Sequence, residues 1–216
     1  MKTIISFDFS INKPAMCIYH NNKLYFYTWP LNIDNKSIEI LKQCDVNVYN
    51  RNLQPINKKQ YDSNSLVYEH VKRSSLLTNL IINDIMSFIK FHNIDKKNII
   101  ISSEGLSYAS NGDATLNLAA YKQVLLTKLY ENDLVNIKTY SPITIKATAG
   151  KSKKGEGSKT SMIDAIKEEE KNHKFIEILS TNDNLLKKKT AYIQTVDDLV
   201  DAYWCLKTTL KKEDLY

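Results

Sequence analysis

Apolar and polar residues alternate in two ways along this chain, and the two periods predict different elements. Residues 3–10, TIISFDFS, alternate with period two, so that Asp8 falls on the face opposite Phe7. Residues 15–29 repeat this pattern on both sides of Asn21-Asn22, and Asn tolerates the positive φ of a tight turn. The chain is therefore predicted to begin with three antiparallel strands.

Helical spacing of apolar residues predicts helices further along. The four segments with this spacing are residues 64–92, 113–132, 157–172 and 195–210. The short apolar runs at 98–105 and 134–142 predict two more strands, the first buried and parallel to its neighbour. Strands that come first and then alternate with helices predict an α/β fold, a mixed sheet flanked by helices.

Composition supports one globular domain over residues 1–216, because 43% of the residues are hydrophobic and 25% are charged. Residues 30–64 are polar and contain two prolines, and we expect a short helix there near 36–43. No signal peptide is visible, and no apolar stretch approaches the roughly 20 residues of a membrane span. We therefore expect a cytoplasmic protein, in the host cell if the source is viral.

The cysteines and the net charge bear on compartment and partners. Cys17, Cys44 and Cys205 are odd in number and far apart, which favours a reducing compartment over a disulfide framework or a zinc site. The net charge of +6 and the pI of about 9.0 favour an acidic partner, nucleic acid above all.

Positive charge is concentrated in a loop at residues 146–159, KATAGKSKKGEGSK. Its lysines are Lys146, Lys151, Lys153, Lys154 and Lys159. Lysines neutralise phosphates and glycines permit close approach, so the loop is either a phosphate-contacting segment or a solvated loop without a partner. A Walker loop would need glycine where Ile145 stands, which argues against a nucleotide cofactor.

Three aspartates lie in the last predicted helix, in TVDDLVDAYW. On a helical projection they fall opposite the apolar stripe, which is the pattern of an ordinary solvated face with Thr195 as the N-cap. An alternative follows from Asp198 and Asp201, which are three residues apart and share one side of the helix. The segment alone does not separate these two interpretations.

Two predicted strands end in acids, Asp8 in the first and Glu104 in the fourth. Chemistry tends to gather where strands of an α/β sheet end, so the two carboxylates converge if the strands are neighbours. With Asp198 and Asp201 they would form a cluster whose mutual repulsion divalent cations relieve. Mg²⁺ prefers oxygen ligands, and two ions about 4 Å apart can assist phosphodiester cleavage.

Four stretches of the chain follow one another in a family-specific order. They are IISFDFSINKPAMCIY, IIISSEGLSYASNGDATLNLAAYKQVLLTKL, YSPITIKATAGKSKKGEGSKTSMIDAI and DDLVDAYW, and together they cover roughly half of the chain. They resemble a strand aspartate, a strand glutamate with its long helix, a lysine-rich loop and an acidic C-terminal helix. Because all four stretches occur in this order, the chain resembles the RuvC-type Holliday junction resolvases of the ribonuclease H-like superfamily.

The resemblance implies roles for the acids. Asp8 would bridge two Mg²⁺ ions, with Mn²⁺ as an alternative, while Glu104 and Asp201 would each ligate one ion. Asp198 would complete a coordination sphere or orient the attacking water, and cleavage would leave a 5′-phosphate and a 3′-hydroxyl. Asp197 stays open as the ligand in place of Asp198, although the resemblance favours Asp198.

The resemblance also implies DNA contacts and an assembly. Lys146 and Lys159 match two family lysines, the second near the scissile phosphate, and Tyr108 would stack on exposed bases of a junction. Ala119 and Gln123 stand where the family usually carries glycines in the long helix. Residues 30–64 are longer than the resemblance implies between the hairpin and the first helix, so we expect an insertion there. The implied partners are branched DNA, including the four-way junction, and a second copy in a homodimer.

The sequence thus predicts a metal-dependent, structure-selective DNA endonuclease of phage or other viral origin. One alternative is another ribonuclease H-like nuclease that cuts RNA–DNA hybrids or flaps. A second is a virion or replication protein that keeps the fold as a binding scaffold.

Overall fold

The computed structural model describes residues 2–53, 62–105, 112–151, 158–169, 171–189 and 191–215. The strands in these ranges are β1 Thr3–Asp8, β2 Ala15–His20, β3 Lys23–Thr28, β4 Val46–Val48, β5 Ile99–Glu104, β6 Ile137–Tyr140, β7 Lys187–Lys188 and β8 Ala191–Tyr192. The α-helices are α1 Asn35–Gln43, α2 Ser63–Phe91, α3 Gly112–Glu131, α4 Pro142–Thr148, α5 Lys159–Lys167, α6 Lys174–Thr181 and α7 Val196–Lys212.

Six strands form one mixed sheet in the order β4-β3-β2-β1-β5-β6, and β7 and β8 form a separate two-stranded hairpin. The first three strands are antiparallel, and their tight turn at Asn21 and Asn22 has positive φ at both residues. β5 lies parallel to β1, and β6 lies parallel to β5. The predicted class, a mixed sheet of antiparallel and parallel strands flanked by helices, is confirmed.

Part of the polar region at 30–64 belongs to the sheet. The short helix expected near 36–43 is α1, which Asp34 caps by accepting a hydrogen bond from the Ser37 backbone N–H at 3.1 Å. β4 follows and pairs in parallel with β3, with Val46 opposite Phe26. The sequence did not predict β4, because three residues are too short for a period-two pattern. The expected insertion itself stays a prediction.

Helices α2 and α3 cover one face of the sheet with an apolar layer. Ile5, Phe7 and Met16 of the sheet pack there against fully buried α2 residues such as Leu77 and Ile81. The even positions of β1 point the other way, as the alternation predicts. No helix in the described ranges combines the length and the apolar character that a membrane span requires.

Helix α7 lies across the other face, surrounded by α4, α5 and the strands β1, β2 and β5. It is buried around most of its circumference, so the prediction of a solvated acidic face is wrong for Asp198, which is 5% exposed. Thr195 occupies the predicted N-cap position of α7, but its buried hydroxyl makes no capping hydrogen bond within the described part of the chain. Two short helices, α4 and α6, were not predicted.

Candidate active site

Asp8 and Glu104 end neighbouring parallel strands. Phe7 of β1 lies opposite Ser103 of β5, so the two acids leave the sheet side by side at one edge. Both acids lie on the face of the sheet that α7 covers. Asp8 is in line with Ser6 on β1, and Glu104 is in line with Ser102 on β5. The sheet topology therefore brings together the first two acids that the sequence selected.

Helix α7 is fixed over these strands by polar contacts in the middle of the interface. The hydroxyls of Ser6 and Ser102 lie 2.6 Å apart, and the Cys205 thiol donates to the Ser102 hydroxyl at 3.7 Å. One turn toward the N-terminus of α7, Asp201 is half-buried, and Asp198 beyond it is buried. The register of α7 on β1 and β5 thus carries its acids to the edge where Asp8 ends.

The environment of Asp8 is unfavourable for a negative charge. Burial, followed by the charges of Asp198, Asp201 and Glu104, raises the pKa of Asp8 well above its usual range. The neighbouring Asp198 carboxyl favours the neutral form of Asp8, whereas Asp8 in turn favours the charged form of Asp198. The pKa of Asp198 is raised to about 6, by burial first and then by the charge of Asp197.

Glu104 is surrounded by lysines as well as by acids. Burial raises the pKa of Glu104, and the positive charges of Lys146 and Lys122 oppose that rise. The Lys122 ammonium of α3 donates a hydrogen bond to the Glu104 backbone carbonyl and is 8% exposed. Sequence reasoning missed Lys122; the available signal was its spacing of three and seven residues from the buried Leu125 and Leu129.

Lys13, in the loop between β1 and β2, is a second residue that the sequence did not reveal. Its ammonium lies 2.9 Å from Asp197 Oδ1 and 3.0 Å from Asp198 Oδ2, and it donates to the Gln194 backbone carbonyl at 2.8 Å. Burial opposes the charge on Lys13, but the carboxylate of Asp198 and its neighbour outweigh burial and raise its pKa. Both adjacent aspartates therefore contact Lys13, and Asp198 also interacts with Asp8.

The donor chemistry of this cluster fits a hard divalent cation, because carboxylate oxygens crowd together and raise each other's pKa. The arrangement is not that of a finished coordination sphere. Within the ranges that the structure describes, no three Asp, Glu, His or Cys side chains lie together as metal ligands would. A cation would have to displace the proton that the raised pKa of Asp8 favours and draw the acids closer. The predicted pair of ions stays a prediction.

The basic loop is described only at its two ends. Lys146 lies in the last turn of α4 and faces Glu104, and the Lys151 backbone N–H donates to the Lys146 carbonyl at 2.8 Å. Lys159 is the first residue of α5, whose N-cap Ser158 accepts from the Ser161 backbone N–H at 3.2 Å. Two of the predicted loop lysines, Lys153 and Lys154, and the side chain of Lys159 lie outside the described residues, as does Tyr108.

A groove of about 570 Å³ runs beside Glu104, between α3 and the junction of β6 with α4. Ala119, Lys122 and Gln123 line one side, and Ser141 lines the other. Ala119 and Gln123 are the positions at which the resembling family carries glycines. Both side chains here line the α3 side of the groove.

Comparison with known proteins gives a fold but no sequence relative. No protein-family model matches the chain, and no curated protein matches it. Thermus thermophilus RuvC, solved in complex with a Holliday junction substrate, aligns over 98% of this chain and 96% of its own, with a TM-score of 0.54 and 8% identity. A second T. thermophilus RuvC structure aligns over the same shares, with a TM-score of 0.51 and 9% identity.

A third similar structure is Ydc2, the yeast mitochondrial Holliday junction resolvase. It aligns over 98% of this chain and 78% of its own at 13% identity, with a TM-score of 0.43, which is too low to carry an argument. The two RuvC structures align with this chain over nearly the whole length of both chains. The chain therefore has the ribonuclease H-like fold of the RuvC-type resolvases.

Proposed function

We propose that this protein is a metal-dependent, structure-selective DNA endonuclease that resolves Holliday junctions or other branched DNA. The observation that carries the proposal is the convergence of Asp8, Glu104, Asp198 and Asp201 at one edge of a RuvC-type fold. Acids on two neighbouring strands and a crossing helix are costly to bury together, and a phosphodiester nuclease is a function that uses them.

The proposed roles follow from position. Asp8, Glu104 and Asp201 would hold Mg²⁺ or Mn²⁺, and Asp198 would complete the set or orient water. When bound, the ions supply charge stabilisation for the attacking and leaving oxygens of the phosphodiester. Asp198, with a pKa of about 6 in the protein without metal, is also suited to accept a proton from an attacking water near neutral pH.

Positive charge beside the acids supports DNA as the substrate. Lys122 and Lys146 flank Glu104, and Lys151 follows in the basic loop. Lys153, Lys154 and Lys159 would extend this surface along a backbone strand, with Lys159 nearest the scissile phosphate, and Tyr108 would stack on an unpaired base. The RuvC solved with a Holliday junction substrate supports branched DNA in particular.

A homodimer is part of the proposal, because a four-way junction requires two cuts. Several large apolar side chains of α2 and α3 are exposed in the described part of the chain, namely Val67, Tyr68, Val71, Leu76, Leu80 and Leu116. Val67→Glu with Val71→Glu would shift the protein from dimer to monomer in analytical ultracentrifugation. A wild-type monomer at assay concentrations would remove the dimer from the proposal.

The deciding experiment is a Mg²⁺-dependent cleavage assay on a mobile four-way junction, with a linear duplex, a flap and an RNA–DNA hybrid of the same sequence. We expect paired nicks in the junction and little cutting of the linear duplex. Equal cutting of junction and duplex would defeat the resolvase claim, and preferred cutting of the hybrid or flap would indicate another ribonuclease H-like nuclease.

One observation favours a second candidate, a replication or virion protein that uses the fold only to bind DNA. The contact of Lys13 with Asp198, and the raised pKa of Asp8, partly neutralise the acids without any metal. If Asp8→Asn supports growth as well as wild type after Mg²⁺ binding is lost, the role is binding and not catalysis. A viral source also remains a prediction from the sequence.

A further inference from the structure

The Lys13 ammonium has more anionic partners than a single ion pair requires. It bonds to both carboxylate oxygens of Asp197, at 2.9 and 3.0 Å, and lies 3.0 Å from Asp198 Oδ2. The Gln194 carbonyl, just before α7, accepts a further hydrogen bond at 2.8 Å. Lys13 therefore ties the loop after β1 to the first turn of α7, at the place where the acids converge.

These contacts differ from those of an exposed ion pair, which water and salt screen. The side chain of Lys13 is 21% exposed, that of Asp197 is 17% exposed and that of Asp198 is 6% exposed. Asp198 Oδ2 is fully buried, and the Lys13 ammonium lies 3.0 Å from it. A positive charge from the chain itself therefore lies beside this buried oxygen.

We propose that Lys13 is a tethered counterion that competes with the divalent cation for Asp198, and that Asp197 is its anchor. The inference rests on the proposed function, since it takes Asp198 as part of the metal site. When a cation binds, the ammonium leaves Asp198 Oδ2 and keeps its bonds to Asp197 and to the Gln194 carbonyl. Asp197 is thereby assigned to holding Lys13, and Asp198 to the metal.

Two functional consequences follow from this arrangement. The folded protein tolerates the cluster of acids without a metal, because Lys13 offsets one of their charges. The divalent cation in turn binds less tightly than four carboxylates alone would bind it, because it must displace a positive charge. Lys13 is a positioning residue in this account, since it acts through Asp198 and not on the substrate.

The test measures Mn²⁺ binding without DNA, from the electron paramagnetic resonance signal of free Mn²⁺. We expect Lys13→Gln to tighten Mn²⁺ binding at least about fivefold, because a unit charge a few ångströms from the ion is removed. Lys13→Arg keeps the charge and should bind as wild type does. Lys187→Gln is the matched control, since Lys187 is 23% exposed and pairs with Asp183, which is outside the acidic cluster.

A measurement on the wild-type protein covers the case in which Lys13→Gln disturbs the fold. The ammonium resonance of Lys13 should shift during a Mg²⁺ titration, with the same midpoint as Mg²⁺ binding measured by calorimetry. Unchanged or weaker Mn²⁺ binding by a folded Lys13→Gln protein, or a Lys13 resonance that stays in place at saturating Mg²⁺, overturns the inference alone. Absence of Mn²⁺ binding by both wild type and Lys13→Gln overturns the proposed function together with it.

Discussion

The two faces of the sheet are built from different chemistry, although each is covered by long helices. Under α2 and α3 the contacts are apolar, with Leu77 and Ile81 fully buried against the strands. Under α7, hydroxyls and a thiol lie in the interface, and carboxyls with raised pKa values lie at its edge. The first face supplies stability, and the second holds groups whose charges oppose burial, which is typical of a functional site.

The covering helices differ in the same way. α2 buries one stripe and exposes its other side, where Val67 is 63% exposed. α7 buries most of its circumference, including Asp198 and Trp204, because α4 and α5 pack on the side away from the sheet. The Trp204 indole N–H even donates to the Met162 backbone carbonyl of α5 at 3.1 Å. The side opposite the apolar stripe is therefore exposed to solvent in α2 but largely buried in α7.

The largest expected effect comes from Asp8→Asn, which removes a central acid of the α7 face. We expect junction cleavage to fall by at least about 10²-fold, since removing even outer groups of a metal site costs 10–100-fold. Thermal stability without metal should rise at pH values above the pKa of Asp8, because asparagine carries no charge for burial and the neighbouring acids to oppose.

Asp84→Asn provides the matched control on the opposite face. The Asp84 carboxylate accepts from the Trp29 indole N–H at 2.8 Å, and its substitution should leave cleavage unchanged. Equal loss of cleavage in Asp8→Asn and Asp84→Asn would mean that the two faces do not divide the roles as described.

The next effect is expected from Leu77→Ala, on the apolar face. A fully buried leucine truncated to alanine lowers the free energy of unfolding by about 2–5 kcal/mol, through lost burial and the cavity left behind. Urea denaturation measures the loss. Cleavage per folded molecule should match wild type, and a specific defect in the chemical step would show that α2 also shapes the site.

The pH dependence of stability should separate the faces further. The pKa of Asp198 in the folded protein, about 6, is higher than the usual value of an aspartate. The folded state therefore binds this proton more tightly, and the stability it contributes is present below about pH 4 and lost as the pH rises through about 6. The raised pKa of Asp8 acts in the same direction.

Thermal denaturation in EDTA across this window should show the loss, of about 1–3 kcal/mol. Saturating Mg²⁺ should raise the midpoint more at neutral pH than near pH 5, because the acids must lose their protons to bind it. Asp198→Asn should flatten the metal-free profile. A profile that is already flat in wild type would contradict the crowding of acids under α7.

The smallest effect is expected from Lys153→Ala with Lys154→Ala in the basic loop. Junction affinity should fall. The slope of log K against log salt should become shallower by about two, because each of the two lysines would no longer neutralise a phosphate. Lys187→Ala with Lys188→Ala removes the same charge from residues already paired with Asp183 and Asp34, and serves as the control. An unchanged slope in the loop variant would exclude the loop from the binding surface.

The local sequence pattern predicted an element correctly wherever residues close together in the chain determine its structure. The β2–β3 hairpin followed from its Asn-Asn turn, and α2 followed from sustained helical spacing. Pro142 shows the limit of local rules. It was interpreted as the end of a strand, yet it occupies the first turn of α4 behind the Ser141 cap, where its missing N–H is tolerated.

The sequence by itself determined the class of fold, the acids worth testing and the sign of the charge around them, because alternation, helical spacing and residue type are local properties. The tertiary structure decided which acids meet, since only the parallel pairing of β1 with β5 brings Asp8 beside Glu104. It also decided that Asp198 is buried and that Lys13, from a loop distant in sequence, lies against it. Burial and charge pairing depend on elements far apart in the chain, and no local pattern records which of them will pack together.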